Sequence, residues 1–359
     1  MPDAGDRTRL TYAPALDGLR AVACLSVMLY HAKILSGGFL GVDVFFTLSG
    51  FLITSLLVAE LRAAGAVDLR AFWRRRIFRI VPLLATVSVT LFVWASVHGG
   101  DVGRATILGA LTSLLFCVNW LASRVTEGAG ALTANWSVAL EEQFYLVWPV
   151  VVSLLFRLRR REKAIAGLVA GAAAALAVHR ALIVPGSTYA RVWFGIDTQA
   201  DALLAGCAVA LGLRCRSRLS GAVAGAGLGA LLVFCHENAE TLRFGLPAAI
   251  LCTAVLVPVL ADRGGWLAWG PLRAVGRRSY GLYLWGTAIN FLAFDVYGLR
   301  GLPLLLVVFP ATFAVTEVTY QFVERPLRRL GRRPAERSRR SPASATAPGG
   351  PLRLSPHRP

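Results

Sequence analysis

Hydrophobic positions in this chain fall in long unbroken runs, separated by short polar stretches in which arginine predominates. Eleven runs stand out, near 19–35, 43–61, 80–97, 105–122, 140–156, 164–184, 199–213, 219–235, 244–261, 280–297 and 302–321. They lack the short alternating segments of an outer-membrane barrel. The pattern predicts an all-α polytopic membrane protein. Several runs fall short of the ~20 residues that span a bilayer unaided, so extended ends or local thinning are expected there. The first run has no small-residue cleavage signature after it, and a second run follows at once. It reads as a retained helix and not as a signal peptide.

The polar stretches set the topology. Basic clusters lie at 62–79, 157–163, 214–218, 263–278 and from 324 onward, and such clusters remain on the cytoplasmic side. The first two runs then form an out-and-back hairpin, and 80–97 goes out. The run at 140–156 must return, because Arg157, Arg159, Arg160 and Arg161 follow it. No full crossing is left for 105–122, which is expected to be re-entrant or interfacial. The result is about ten transmembrane helices with both termini cytoplasmic. No repeat at a fixed period is visible. Residues 1–15 read as a cytoplasmic lead-in, 16–330 as one membrane domain, and 331–359 as a disordered basic tail rich in Arg, Pro, Ser, Ala and Gly.

Composition excludes a simple soluble globule. Of 359 residues, 56% are hydrophobic and only 16% charged, against about 25% in an ordinary soluble domain; mean hydropathy is +0.59. The formal net charge is +18, and Lys33 and Lys163 are the only lysines. In a soluble protein that balance would suggest nucleic acid. Here the arginines are clustered between apolar runs, so anionic lipid is the expected partner and nucleic acid is not. Cys24, Cys117, Cys207, Cys215, Cys235 and Cys252 are scattered, with no C-x-x-C pair and no histidine at ligand spacing. Neither a metal site nor a disulfide framework is expected.

Polar residues within apolar runs ask for an explanation. Arg20 and His31 stand eleven residues apart, three helical turns, and so share one face about 16 Å apart along the axis. A cation and a titratable imidazole on one face suit a negative donor and a proton transfer; a snorkelling arginine and an interfacial histidine are the plainer reading. In the stretch from Gly41 to Thr54, Gly50 with Thr47 and Ser49 permits close helix approach, and Asp43 is placed to cap the helix start. Arg75, Arg76 and Arg79 read as a positive-inside anchor or a phosphate clamp, since guanidinium suits bidentate phosphate contact. Glu141 and Glu142 open an apolar helix after Trp136 and Ser137, and a carboxylate beside His31 would orient its ring. His98, His179, His236 and His357 are expected to be interfacial, packing or tail residues.

At these residues the chain resembles the acyltransferase-3 family of integral-membrane O-acyltransferases. The blocks that carry the resemblance are Arg20 with His31, Gly41 to Thr54, Arg75 to Pro82, Trp136 to Pro149, Asp201 to Gly206, Ser279 to Trp285 and Phe322 to Pro326, in family order over roughly 12–330. The resemblance implies transfer of an acyl group, expected to be acetyl, from cytoplasmic acyl-CoA to a hydroxyl. The acceptor would be a glycan, a lipid-linked sugar or a small metabolite such as a macrolide. It implies His31 as catalytic base, Arg20, Arg75, Arg76 and Arg79 as donor-binding residues, and Glu141 and Glu142 in the site, with Glu142 expected to orient His31. Asp43, Ser49, Trp136, Ser137, Asp201, Tyr283, Glu324 and Arg325 are further site candidates. Acyl-CoA would be a substrate, with no permanently bound cofactor and no metal, in a multi-pass protein of the inner or plasma membrane.

Two positions depart from the family pattern. Gly286 stands where members often carry a histidine, and Gln199 where many carry an arginine. Some relatives add an extracytoplasmic hydrolase-like domain, so the membrane unit here is expected to work alone or with a partner. The rival classes are a proton-coupled transporter, weakened by the missing repeat, and a non-catalytic presenting partner. Acyl length and oligomeric state are left open by the sequence.

Overall fold

The computed structural model describes residues 12–124, 128–158, 161–215 and 217–338, with side chains to residue 331. The apolar runs fall on helices, and no strand occurs among the described residues. Helices α1 (Pro14–His31) and α2 (Gly41–Ala64) form the first hairpin, and α3 (Leu69–His98) follows. Then come α4 (Gly100–Leu114), the short α5 (Val118–Ala122) and α6 (Trp136–Arg157). The middle of the chain is α7 (Glu162–Ile183), α8 (Tyr189–Phe194), α9 (Ile196–Ala210) and α10 (Arg218–Phe234). The last helices are α11 (Leu246–Arg263), α12 (Gly270–Phe291), α13 (Gly301–Thr319) and α14 (Arg325–Ser338).

Among the described residues, six helical segments are long and apolar enough to cross a bilayer: Gly38–Ala64, Leu69–His98, Gly130–Arg157, Glu162–Gly186, Thr241–Arg263 and Gly301–Gly331. The chain is thus a multi-pass membrane protein. Helices α1 and α12 are not among the six. The first carries Asp17 and Arg20, the second Arg273, Arg277 and Arg278, which lowers their apolarity. Both nevertheless lie in the core and run side by side. The Cys24 thiol meets the Ser279 carbonyl at 3.6 Å, and Asn290 Nδ2 donates to the His31 carbonyl at 3.1 Å. Asp17 and Arg20, which weaken α1 as a membrane segment, line cavities of the bundle.

Helices α2 and α9 cross at backbone contact. A Cβ added at Gly50 would sit 1.9 Å from the Leu203 carbonyl oxygen, and one at Gly206 2.0 Å from that of Thr47. Only glycine fits either position, as the small-residue pattern around Gly50 predicts. This crossing brings Asp43 beside the buried pair of Arg180 and Asp201.

The expected single segment at 105–122 is two helices. Helix α4 stops at Leu114, where Phe116 takes a positive φ of 52° and Cys117 N–H closes back on the Thr112 carbonyl at 2.9 Å. The segment leading into α6 packs along the middle and end of α4. Ala131 N–H donates to Thr106 Oγ1 at 3.3 Å, and Asn135 Nδ2 to Ser113 Oγ at 3.1 Å.

Other expectations shift. Asp43 does not cap α2: the cap position is Leu40, which makes no side-chain cap bond, while Asp43 is buried and its Oδ1 has no partner. Helix α14 continues to Ser338, past the 331 boundary expected for an unstructured tail. Residues 1–11 of the lead-in, 339–359 of the tail, with His357, and Arg159 and Arg160 of the basic cluster lie outside the described residues.

Candidate active site

Three cavities lie in series through the bundle. A vestibule of about 650 Å³ at the arginine-rich end is walled in part by Tyr12, Arg62 and Arg214. It shares Arg20, Leu52 and Leu56 with an inner chamber of about 90 Å³ that also meets Ser49, Arg79 and Glu141. The inner chamber in turn shares Val42 and Tyr283 with an outer cavity of about 180 Å³, which holds His31. The face-sharing predicted for Arg20 and His31 is thus realised on α1, but each residue looks into a different space.

His31 is the last residue of α1. Its Nδ1 lies 2.8 Å from the Val27 carbonyl oxygen one turn back, and the Tyr30 ring packs edge-on at 5.2 Å. A carbonyl oxygen only accepts, so Nδ1 carries the proton and donates it. The free lone pair is then on Nε2, the form a general base needs. The orienting group is backbone, and the expected bond from Glu142 to His31 is not formed.

Glu141 and Glu142 are committed elsewhere. Arg76 Nε donates to Glu142 Oε1 at 2.9 Å, and its Nη2 to Glu141 Oε1 at 3.1 Å. The guanidinium lies 3.6 Å from the Tyr145 ring centroid, and the Tyr145 hydroxyl donates to Glu141 at 2.6 Å. Burial explains the pairing, since the side chains of Arg76 and Glu142 are only 12% and 13% exposed and an unpaired charge at such depth costs several kcal/mol, on the order of 3–5. Arg76 is therefore not the free phosphate clamp expected from its spacing with Arg79. Among the described residues Arg79 has no hydrogen-bonded or ion-pair partner, and Arg20 donates to the Ser279 hydroxyl at 3.3 Å through both Nε and Nη2 and lies over the Phe45 ring at 5.9 Å. Arg75 faces outward, 3.9 Å from Glu60.

The boundary between chamber and outer cavity is built by Tyr283. Its hydroxyl donates to the Ala134 carbonyl at 2.7 Å and lies 2.8 Å from Ser137 Oγ. Trp136, one residue before Ser137, faces the other way into the outer cavity, edge-on to Phe46 at 5.8 Å. Ser49 lines the inner chamber beside Glu141. The remaining candidates lie apart from both spaces. Asp201 takes Arg180 bidentately at 2.7 and 2.8 Å, deep in the bundle. Glu324 is buried and holds Arg328 at 2.6 Å, while Arg325 is exposed. Gln199 is itself buried, and the arginine on Asp201 comes from α7. Gly286 packs on Thr312 and Met28. His98 stacks on Trp94 at 4.6 Å, and His179 meets Asp197 at 3.1 Å. Among the described residues no two cysteines form a disulfide, and no group of metal-ligating side chains occurs.

Sequence reasoning missed Arg180, Tyr145, Glu237, Asn290 and Asp295. Arg180 left a signal, a lone charge late in an alanine-rich apolar run, which in a membrane helix calls for a buried partner. Glu237 and Asp295 left none, because they sit at helix ends where carboxylates are ordinary.

The class of this helical membrane bundle comes from comparison with known proteins. The model of the acyltransferase-3 family, described as an acyltransferase domain, matches residues 14–320, so the chain belongs to that family. It is 34% identical over 355 residues to the putative peptidoglycan O-acetyltransferase YrhL of Bacillus subtilis, covering 89% of this chain and 55% of that protein. It is 30% identical over 351 residues to the peptidoglycan O-acetyltransferase OatA of Listeria monocytogenes, with 89% and 56% covered. The O-acetyltransferase OatA of Staphylococcus aureus is 29% identical over 348 residues, with 89% and 58% covered. The chain thus spans little more than half the length of these relatives. No solved structure matches it.

Proposed function

We propose that this chain is a membrane O-acyltransferase that moves an acetyl group from acyl-CoA, entering at the arginine-rich cytoplasmic face, to a hydroxyl of a glycan held at the opposite face. The observation that carries the reading is the abutment of the two spaces at Tyr283 and Val42, with unpaired arginines on one side and a base-form histidine on the other. The vestibule is the only one of the three spaces with room for a nucleotide; Arg20 lines it and Arg79 lines the chamber it opens into, so these two cations are offered to phosphates at that junction. The acyl thioester extends through the inner chamber toward Tyr283. His31 Nε2 takes the proton of the acceptor hydroxyl as its oxygen attacks the thioester carbon. The C–S bond breaks, CoA leaves as thiolate, and the imidazolium returns the proton to solvent or thiolate. Such a proton transfer contributes about 10²–10⁴ in rate.

The similarity to peptidoglycan O-acetyltransferases makes a cell-wall glycan the acceptor of choice, in the plasma membrane. Ten crossings, by α1, α2, α3, α6, α7, α9, α10, α11, α12 and α13, with α4 and α5 re-entrant, put both termini on the cytoplasmic side. The parallel packing of α1 with α12 fits that count, since both cross outward. The test is transfer of labelled acetyl from acetyl-CoA in membranes, wild type against His31→Ala, with glycan and small-metabolite pools as acceptors. Label in the glycan that vanishes in the variant supports the reading; equal labelling by the variant removes His31 as base.

A further inference from the structure

The outer cavity has a polar wall that the reaction at His31 does not use. Besides His31 it presents Glu237, Asp295 and Asn290. Asn290 is 5% exposed, and its Oδ1 has no hydrogen-bond partner, while its Nδ2 is spent on the His31 carbonyl. Glu237 is held by the Tyr189 hydroxyl at 3.2 Å. Tyr189 in turn stacks on Trp193, with centroids 5.8 Å apart and planes 14° from parallel. Trp193 and Trp136 form the aromatic side of the same cavity. Burying an unmatched amide oxygen costs about 1–3 kcal/mol, so a group that leaves one facing a cavity beside two carboxylates is arranged for something that donates.

The geometry points to an acceptor subsite for one uncharged sugar ring, held by its hydroxyl or amide N–H groups on Glu237, Asp295 and Asn290 Oδ1 and flanked by Trp136 and Trp193. This assignment rests on the reading of His31 as the base and names what it acts on. Beside the hydroxyls of Tyr30, Thr133, Tyr283 and Thr287, the wall carries two carboxylates and an open amide oxygen, which bind donors, and pyranose rings are rich in donors while their C–H faces suit aromatic surfaces. The two nearby cations stand outside the wall. Lys33 lies over the Tyr30 and Phe294 rings at 5.6 and 5.7 Å, and Arg300 stacks on Phe294 and bonds backbone carbonyls. A uronate or a sugar phosphate placed in the cavity would meet two carboxylates with no cation lining it. The subsite therefore selects against anionic rings.

The test uses the full chain in nanodiscs with the His31→Ala substitution, so that no turnover intervenes. Tryptophan fluorescence is titrated with a neutral N-acetylglucosamine oligomer and with an oligogalacturonate. The neutral oligomer is expected to change the fluorescence saturably, with the uronate at least tenfold weaker. Adding Glu237→Gln and Asp295→Asn should narrow that gap, and Trp193→Phe should reduce the signal change. No saturable response to the neutral oligomer, equal binding of the uronate, or an unchanged gap in the carboxamide variant overturns the proposal. Acetyl transfer by the wild-type chain is measured alongside. Transfer without charge discrimination defeats this subsite alone; discrimination without transfer defeats the acyltransferase reading and leaves a sugar-binding site.

Discussion

The two spaces that meet at Tyr283 treat charge in opposite ways. In the inner chamber the charged groups answer one another: Arg76 is bonded to both Glu141 and Glu142 and lies on the ring of Tyr145. In the outer cavity the polar atoms are left open, with His31 Nε2 free and Asn290 Oδ1 unmatched. Groups that satisfy each other hold helices together. Groups left unsatisfied at a cost are kept for a ligand. Within the inner chamber the same contrast separates Arg76, a structural ion pair, from Arg79, which has no carboxylate partner. Function is to be sought at Arg79, Arg20 and His31, and stability at Arg76.

The variants that break this contrast can be ranked. His31→Ala should reduce acetyl transfer by at least about 100-fold, the loss of a proton relay, with an unchanged thermal unfolding midpoint in detergent. A parallel fall in the midpoint would make His31 a packing residue. Arg76→Leu strands two carboxylates and should cost up to about 3 kcal/mol in stability, seen as a lower midpoint and poor recovery. Adding Glu142→Gln should return part of it, and a fully stable Arg76→Leu protein would contradict the pairing. Arg79→Ala should leave the midpoint in place and raise the KM for acetyl-CoA about tenfold or more, since a charged hydrogen bond contributes about 1.5–3 kcal/mol. An unaltered KM would move the phosphates elsewhere in the vestibule. Tyr283→Phe removes one hydroxyl from the boundary and should cost about 1 kcal/mol, a several-fold change in kcat with little change in KM for the donor. A larger loss would give that hydroxyl a direct part in the reaction.

The same contrast explains what the sequence could and could not say. Apolar runs and arginine clusters are local quantities, so the helices and the Arg20–His31 face are visible along the chain. Gly50 announces its close crossing by its small neighbours, although its partner, Gly206, lies far away in sequence. Which carboxylate meets which cation is not local. Glu141 and Glu142 are adjacent, and nothing in their spacing tells that α3 will present Arg76 to both while α1 ends His31 against its own Val27 carbonyl. The outer cavity is collected from α1, the start of α6, α8, the segment after α10 and the end of α12. Its carboxylate-bearing wall belongs to none of these segments alone.

Sided proteoliposomes test the central claim most directly. Labelled acetyl-CoA is supplied at the arginine-rich face, and a glycan acceptor is enclosed at the other. The account predicts labelled glycan in the lumen with the wild-type chain and none with His31→Ala. Labelling only when donor and acceptor share one side, or persistence of lumenal label without His31, would contradict it.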